Sequence, residues 1–252
     1  MAVTVNLAVS AIPKPVIVAI TNAASGSTGA ISPGENITIY GTGIGPATLV
    51  GGKLNAAGAF DTTAGNTQVT FDGTAAPVIY ASATQTSVMV PYGVSGRPVS
   101  TIRISFQGVQ SDPLIYNVTQ TAPGIYTQNL SGTGPGAILN QDFSVNGPTK
   151  PAAKGSVVAV YMTGEGATTT IPPDGAIAPL NGTGLYKPLL PVTATVAGIP
   201  ATVNYYGSSP GIVYGAMQVN VTIPANVGTG AQSIVINVGS TGTQAGVTVT
   251  VQ

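Results

Sequence analysis

The chain contains no cysteine, no histidine and no tryptophan, and only 6% of its 252 residues are charged. Without cysteine, the protein has no thiol catalysis, no thiolate metal site and no disulfide scaffold. Without histidine, the usual general base near neutral pH is missing. We therefore predict that the protein is not an enzyme and has no catalytic residues.

The few charges also balance, with seven Lys and Arg against seven Asp and Glu. No basic stripe is available for nucleic acid or anionic lipid. No apolar run approaches the roughly 18 residues of a membrane span. Hydrophobic residues nevertheless make up 43% of the chain, which excludes a polar disordered chain. Because a net charge near zero removes the repulsion between copies, the composition favours self-association.

What the chain does have is glycine, proline and short alternating segments. Segments of four to six residues recur at intervals near ten and are separated by Gly, Pro, Asn and Asp, a pattern typical of antiparallel sandwiches. No segment has the apolar stripe of an amphipathic helix, so we expect negligible helix. The predicted strands are 16–20, 36–40, 69–71, 76–80, 87–90, 101–106 and 114–118, then 136–139, 157–162, 192–196, 201–205, 217–223, 233–238 and 247–251.

The two halves of the chain carry the same motifs in the same order. Residues 34–45 resemble residues 155–166 at an offset of 121. The next segment repeats at offsets of 125 and then 133, in the pairs Gly73 and Gly198, Ala76 and Ala201, Tyr80 and Tyr205, Gln85 and Gln218, and Pro91 and Pro224. Ordered matches of this kind indicate a duplicated unit.

The predicted fold class is therefore all-β: two tandem immunoglobulin-like β-sandwich domains with an extra N-terminal β-strand. The predicted boundaries are 1–15 for the N-terminal strand and its proline linker, 16–120 for the first sandwich and 121–252 for the second. Residues 47–66 and 164–187 are predicted to be long polar excursions in corresponding places. The short connection between the two domains predicts limited hinge freedom.

Several motifs resemble the C-terminal domain family of secreted proteins from Solibacter and other Acidobacteria. They include Ser32-Pro33-Gly34, residues 122–126, residues 137–142, Gly164-Glu165-Gly166 and residues 218–224. Each half also resembles the IPT/TIG type of immunoglobulin-like domain. The resemblance implies a secreted or surface-exposed bacterial protein and carries no implication of activity. The strand at residues 1–11, and Ser87 where the family usually has Asn, depart from the family pattern.

The acidic residues offer a catalytic or metal hypothesis and a structural alternative. Glu165 and Asp174 are a candidate carboxylate pair, and with Asp142 they are candidate Ca²⁺ ligands. Most acids fall in predicted turns, where Asp and Glu cap backbone groups in solvent. No acidic cluster has the spacing of a calcium loop. We therefore expect solvated loop acids, no metal and no cofactor.

Tyrosines in the second half are candidate ligand-facing aromatics. Tyr186, Tyr206 and Tyr214 lie near one another in sequence, and tyrosine rings can stack on sugars in a polar groove. The absence of tryptophan weakens this hypothesis. The alternative is that Tyr205, which matches Tyr80, is core and the other tyrosines cover loops.

The first eleven residues form the most distinctive segment. Val3, Val5, Leu7 and Val9 alternate with polar or small residues, which predicts a strand with one apolar face. Proline at positions 13 and 15 stiffens the linker that follows. One alternative is that this strand pairs with its own sandwich. The other is that it adds to the sheet of a neighbouring copy, a head-to-tail contact that builds a filament.

We predict a non-enzymatic structural protein, secreted or on the cell surface, that polymerises through this strand. Its expected partners are other copies of itself and, in a second hypothesis, extracellular polysaccharide or protein bound by a monomeric adhesion module. Nucleic acid and a membrane span are not expected. The N-terminus lacks the charged region of a signal peptide, so either a signal has been removed or the protein is cytoplasmic. The composition favours secretion.

Overall fold

The computed structural model describes residues 12–252, and the predicted strand at residues 1–11 lies outside them. The described chain forms four sheets, in which most neighbouring strands are antiparallel. The sheets pack against each other in two pairs. Two sheets built from residues 16–117 form what we call the first sandwich. Two sheets built from residues 124–251 form the second sandwich. The all-β, immunoglobulin-like fold class is confirmed.

The first sandwich contains ten strands. One sheet has the order β1-β2-β7-β6-β3, and the facing sheet has the order β10-β8-β4-β5, with β9 paired to β8. The strands are β1 (Val16–Asn22), β2 (Asn36–Thr42), β3 (Val50–Gly51), β4 (Thr67–Phe71), β5 (Thr74–Ala75), β6 (Val78–Ala81), β7 (Gln85–Met89), β8 (Val99–Phe106), β9 (Val109–Gln110) and β10 (Leu114–Asn117).

The second sandwich contains eleven strands. One sheet has the order β11-β14-β18-β17, with β13 also on β14, and the other has the order β12-β21-β19-β15-β16, with β20 on β19. The strands are β11 (Gly124–Ile125), β12 (Gly134–Pro135), β13 (Ile138–Leu139), β14 (Val157–Thr163), β15 (Val192–Val196), β16 (Ile199–Ala201), β17 (Val203–Ser208), β18 (Ala216–Thr222), β19 (Gly230–Val238), β20 (Thr241–Gly242) and β21 (Val247–Val251).

Period-two alternation sends every second side chain into each core. In β21, Val247, Val249 and Val251 are buried while the two threonines between them are half-buried. Each sandwich has its own apolar cluster, centred on residues such as Phe71 and Ile104 in the first and Val219 and Ile236 in the second. Two separate cores mean that each sandwich buries its own apolar faces.

Most predicted strands are confirmed within one or two residues of their ends. The predicted strand 201–205 is instead divided, because β16 ends at Ala201 and β17 begins at Val203. The only helical turn described for residues 12–252 is a 3-10 turn at Tyr92–Val94. The two polar excursions contain little strand, as expected, although short bridges join Ala59 to Ala176 and Ile177 to Val213.

The structure supports the internal duplication residue by residue. Gly73 and Gly198, which are 125 positions apart, both adopt left-handed backbone conformations. The residues that precede them, Asp72 and Ala197, do the same at φ of 50° and 51°. These residues form the turns that join β4 to β5 and β15 to β16. The division into domains at residues 1–15, 16–120 and 121–252 stays a prediction.

Candidate functional site

The two sandwiches meet along a polar and apolar seam. The N–H of Asn36 donates to Thr163 Oγ1 at 2.8 Å, and the Thr163 hydroxyl donates to the Gly215 carbonyl at 2.8 Å. Farther along the seam, the N–H of Phe60 donates to the Gly175 carbonyl at 2.8 Å. Because Thr163 is fully buried, these bonds are shielded from water.

Apolar side chains reinforce the same seam. Met89 of the first sandwich packs with Val213 and Ala216 of the second. Tyr92 packs with Ala178 and Tyr214. The excursion 164–187 therefore serves mainly to dock the second sandwich on the first, and these contacts agree with the prediction of limited hinge freedom.

Glu165 lies inside this seam, and its environment differs from the prediction. Its side chain is only 1% exposed, and the Tyr92 hydroxyl donates to its Oε1 at 2.9 Å. Its Oε2 is buried and has no hydrogen-bond partner among the described residues. Burial raises the pKa of Glu165 to about 7, while the bond from Tyr92 acts in the opposite direction. The expectation of a solvated loop acid is wrong for this residue.

Glu35 is the second buried acid, and it stabilises the connection between the sandwiches. Its Oε2 accepts from the Ser32 N–H at 2.7 Å, and its Oε1 accepts from Asn22 Nδ2 at 2.9 Å. The same amide nitrogen of Asn22 donates to the Ala122 carbonyl at 2.9 Å. Burial raises the pKa of Glu35 to about 8 despite the hydrogen bonds from Ser32 and Asn22. The turn-capping role was expected, but burial was not.

Asp174 contacts the same tyrosine but is an exposed residue. Its Oδ1 accepts from the N–H of Tyr92 at 3.0 Å, so Glu165 and Asp174 bind opposite ends of one tyrosine. Partial burial of its carboxyl raises the pKa of Asp174. Asp142 lies elsewhere in an exposed turn, where its Oδ1 accepts from Ser144 at 2.6 Å. The structure therefore does not bring the three candidate calcium ligands together.

A cleft of about 500 Å³ follows the seam between Arg97 and Pro98 on one side and Leu189 and Leu190 on the other. Its charged lining residues are Arg97, which pairs with Asp72 at 3.1 Å, and the buried Glu165. Within residues 12–252, no three acidic side chains converge as a metal site would require. The other lining residues of the cleft are apolar or neutral polar.

Of the three candidate ligand-facing tyrosines, Tyr186 and Tyr214 belong to the seam cluster around Tyr92, and Tyr206 packs against the core of the second sandwich. Tyr214 is 5% exposed, and its hydroxyl donates to the Gly184 carbonyl at 2.7 Å. Its ring lies 5.4 Å from that of Tyr186. Tyr206 is half-buried, and Lys187 Nζ lies 5.2 Å from its ring centroid. Glycan stacking on these residues stays a prediction.

The predicted assembly residues Val3, Val5, Leu7 and Val9 lie outside the described residues. The chain that follows them can be described. Residues 12–14 are exposed, and Lys14 Nζ donates to Asp112 Oδ1 at 2.6 Å. The linker therefore leaves the first sandwich at the end where β10 begins. β1 and β10 are the outer strands on that side of the two facing sheets.

Comparison with known families identifies the first sandwich. Residues 15–120 match the family described as "IPT/TIG domain". An IPT/TIG domain occupies this part of the chain. The TIG match confirms the IPT/TIG resemblance for the first half of the chain. For the second half, that resemblance stays a prediction. The narrower likeness to secreted Solibacter and Acidobacteria proteins stays a prediction.

Comparisons with whole proteins add little to the TIG assignment. No curated protein matches the chain. Among solved structures, one similar chain is the Bacteroides ovatus mixed-linkage glucan utilization locus SGBP-B in complex with a mixed-linkage heptasaccharide. The two are 15% identical with a TM-score of 0.34, and the match covers 88% of this chain and 43% of that one. The chain thus spans less than half of that protein, and the heptasaccharide is bound by that protein.

No helix among residues 12–252 is long and apolar enough to cross a membrane.

Proposed function

We propose that this protein is a non-enzymatic structural protein, secreted or on the cell surface, that assembles head to tail. The strand at residues 2–11 of one copy adds to a sheet of the next. Because such a contact uses two different surfaces, it leaves one of each free at the two ends and grows into a filament. The paired backbone hydrogen bonds supply strength, and Val3, Val5, Leu7 and Val9 fix the register.

The observation that carries this proposal is the placement of the linker. Ile12 and Lys14 each precede a proline, which favours an extended backbone at both residues. Their side chains are exposed, and Lys14 is anchored at the end of the sandwich by Asp112. A stiff linker that leaves from the end of a domain presents the preceding strand to another molecule more readily than to its own sheets.

Two further features support assembly over a monomeric binding module. The chain has almost no charge with which to protect its sheet edges, although natural edge strands are commonly protected by lysine or other charges. Of the tyrosines proposed for ligand binding, Tyr214 is buried and its hydroxyl donates to the Gly184 carbonyl. An adhesion module would therefore have to use the half-buried Tyr186 and Tyr206.

Deleting residues 1–11 is the direct test. We expect the shortened chain to keep its circular dichroism spectrum and cooperative unfolding but to lose all high-mass species in light scattering and all filaments in negative-stain micrographs. The reason is that the deletion removes the donor strand and leaves both cores intact.

A matched pair of variants controls for nonspecific loss. Changing Val5 and Leu7 to lysine should abolish assembly, because it places charge on the apolar face of the strand. Changing Thr4 and Asn6 to lysine should retain assembly, because those residues lie on the opposite face. Unchanged polymers after the deletion would contradict the proposal.

A further inference from the structure

The last strands of the two sandwiches differ in how much of their backbone is paired. In the second sandwich, β21 has partners on both sides. On its outer side, the N–H of Gly136 donates to the Thr248 carbonyl at 2.9 Å, and the N–H of Ala152 donates to the Thr250 carbonyl at 2.8 Å. The N–H of Thr250 donates to Asn146 Oδ1 at 2.7 Å. The outer edge of β21 is therefore closed.

The internal repeat identifies the corresponding edge of the first sandwich. Val118 bridges Ile31 in parallel, just as Val251 bridges Ala152. Ala152 follows Ile31 by 121 positions (152 − 31), and Val251 follows Val118 by 133 positions (251 − 118). These are the offsets already found in the sequence. By the same offset of 133, Ile115 corresponds to Thr248 and Asn117 corresponds to Thr250.

Among the residues that the structure describes, the corresponding edge of β10 is unpaired over most of its length. The N–H of Ile31 donates to the Asn117 carbonyl at 3.0 Å, reproducing the bond between Ala152 and Thr250. Residues two apart on a strand direct their backbone groups to the same side, so Ile115 faces this outer side as well. Among residues 12–252, no group pairs with the Ile115 carbonyl or the Asn117 N–H.

Part of the difference arises from an insertion in the second sandwich, which supplies the N–H of Gly136. Asn146, which accepts from the N–H of Thr250, lies outside that insertion. Ile125 pairs with Met162 and Ile138 with Val160, the positions that correspond to the partners of Ile17 and Ile20 in β1. Between the two isoleucines, the second sandwich has residues 126–137, which leave the sheet and supply β12 alongside β21.

The first sandwich has only Val18 and Ala19 in the corresponding place, where β1 forms a bulge. Val18 is 71% exposed. Among residues 12–252, the first sandwich therefore lacks a counterpart of β12, the strand that lies alongside β21 in the second.

The surface beside the open edge suits an apolar strand. A depression of about 410 Å³ lies between residues 29–30 and β10. Half-buried apolar side chains of the first core line this side of the sandwich, among them Ile17, Leu114 and Tyr116. Ile115 itself is 69% exposed. None of the residues that line the depression is charged.

We propose that the outer edge of β10 is the acceptor for residues 2–11 of a second copy of this chain. The incoming strand lies parallel to β10, as β12 lies parallel to β21, and it pairs with the backbone of Ile115 and Asn117. Its apolar side chains cover Leu114 on the core-facing side of the sheet. This inference rests on the proposed assembly function and adds to it the acceptor site and the strand orientation.

The orientation indicates a second copy and not the chain's own N-terminus. Lys14 is anchored at Asp112, just before β10 begins. A segment that ended there after lying on its own β10 would have to run antiparallel to that strand. It would also need a reversal within residues 12–15, where the two prolines favour an extended backbone. A strand from another molecule meets neither restriction.

Cysteine cross-linking tests the contact directly, because the chain has no cysteine of its own. One sample carries Ile115→Cys, and a second sample with a larger tag carries a single cysteine at each position from 3 to 9 in turn. After mixing and mild oxidation, we expect a cross-linked species that contains both chains. Its yield should be highest for one cysteine position and should alternate between high and low from each position to the next. A chain carrying both cysteines that cross-links only to itself would overturn the proposal, as would the absence of any cross-link.

Edge variants separate this inference from the assembly function. Ile115→Pro removes the outward N–H, and Ile115→Lys places a charge at the edge. Proline is tolerated on the solvent side of an edge strand. We expect either variant to lower the polymer fraction at least tenfold while the melting temperature changes little. Ile171→Lys is the control, because Ile171 is 71% exposed in the docking excursion.

If deletion of residues 1–11 abolishes polymers but both Ile115 variants still polymerise, the acceptor inference is wrong and the assembly function stands. If the deletion leaves polymers intact, the assembly function and this inference both fall.

Discussion

Replacing Gly215 with alanine is expected to destabilise the protein by about 3 to 5 kcal/mol, combining steric overlap with backbone strain. Gly215 has a φ of +98°, and its carbonyl accepts the hydroxyl of Thr163. A Cβ at this position would overlap the carbonyl oxygen of Gly34 and the Cε of Met89, both in the first sandwich. The alanine therefore forces the two sandwiches apart at this contact.

Gly230→Ala is the matched control. Gly230 has a φ of +86°, and a Cβ there would meet nothing within 4 Å. We expect the free energy of unfolding of this variant to fall by only about 1 to 2 kcal/mol, which is the strain of an alanine in the left-handed backbone conformation. Urea unfolding gives both losses. Limited proteolysis of the connection at residues 120–124 should accelerate only in Gly215→Ala. Equal losses from both alanines would show that the seam does not constrain Gly215.

The protein is also expected to lose stability as the pH rises from about 4.5 to 8. Glu165 and Glu35 have pKa values raised by burial to about 7 and about 8 from an ordinary value of 4.5. Across this interval, the folded state keeps protons that the unfolded state has released. The free energy of unfolding therefore falls with rising pH, by up to about 1.4 kcal/mol per pH unit for each group.

Glu165→Gln isolates the contribution of one of these acids. Glutamine stays neutral, and its side-chain oxygen can still accept a hydrogen bond from the Tyr92 hydroxyl. The variant therefore has no buried group at this position that must ionise as the pH rises. We expect its free energy of unfolding to fall less than that of the wild type between pH 4.5 and 8, by on the order of 3 kcal/mol. The readout is the change with pH, because an amide at the unpartnered Oε2 position adds a constant cost at every pH.

Denaturant unfolding at several pH values measures both curves. Asp142→Asn is the control, because Asp142 is exposed and the pKa of its carboxyl is lowered by bonds from Ser144. That variant should keep the downward slope of the wild type between pH 4.5 and 8. Parallel curves for Glu165→Gln and the wild type would mean that Glu165 is ionised in the fold at the same pH as in the unfolded chain.

The strands could be predicted because their signal is local. A strand with one face in a core needs an apolar residue at every second position, and the residues at 247–251 and 192–196 carry that pattern within five positions. The duplication was equally accessible, since Gly73 and Gly198 are required by the same left-handed turn. Both features follow from the conformational preferences of neighbouring residues.

The burial of Glu165 could not be predicted in the same way. Its side chain is enclosed because Tyr92, 73 positions earlier in the chain, is placed against it by the docking of two sandwiches. A sequence signal does exist in the flanking glycines, since a Cβ at Gly164 would overlap the Ala122 carbonyl. That signal indicates a close backbone approach without indicating which segment approaches.

By itself, the sequence determined the all-β class, the positions of most strands and the internal repeat, and its alternation at residues 2–11 predicts a further strand. Only the tertiary structure decided which carboxylates lose water at the seam, which tyrosines are covered and which strand edge lacks a partner within residues 12–252. The physical reason is that strand formation depends on residues a few positions apart. Burial and edge pairing depend on segments far apart in the sequence, as in the hydrogen bond that the Tyr116 hydroxyl of β10 donates to the Ile20 carbonyl of β1.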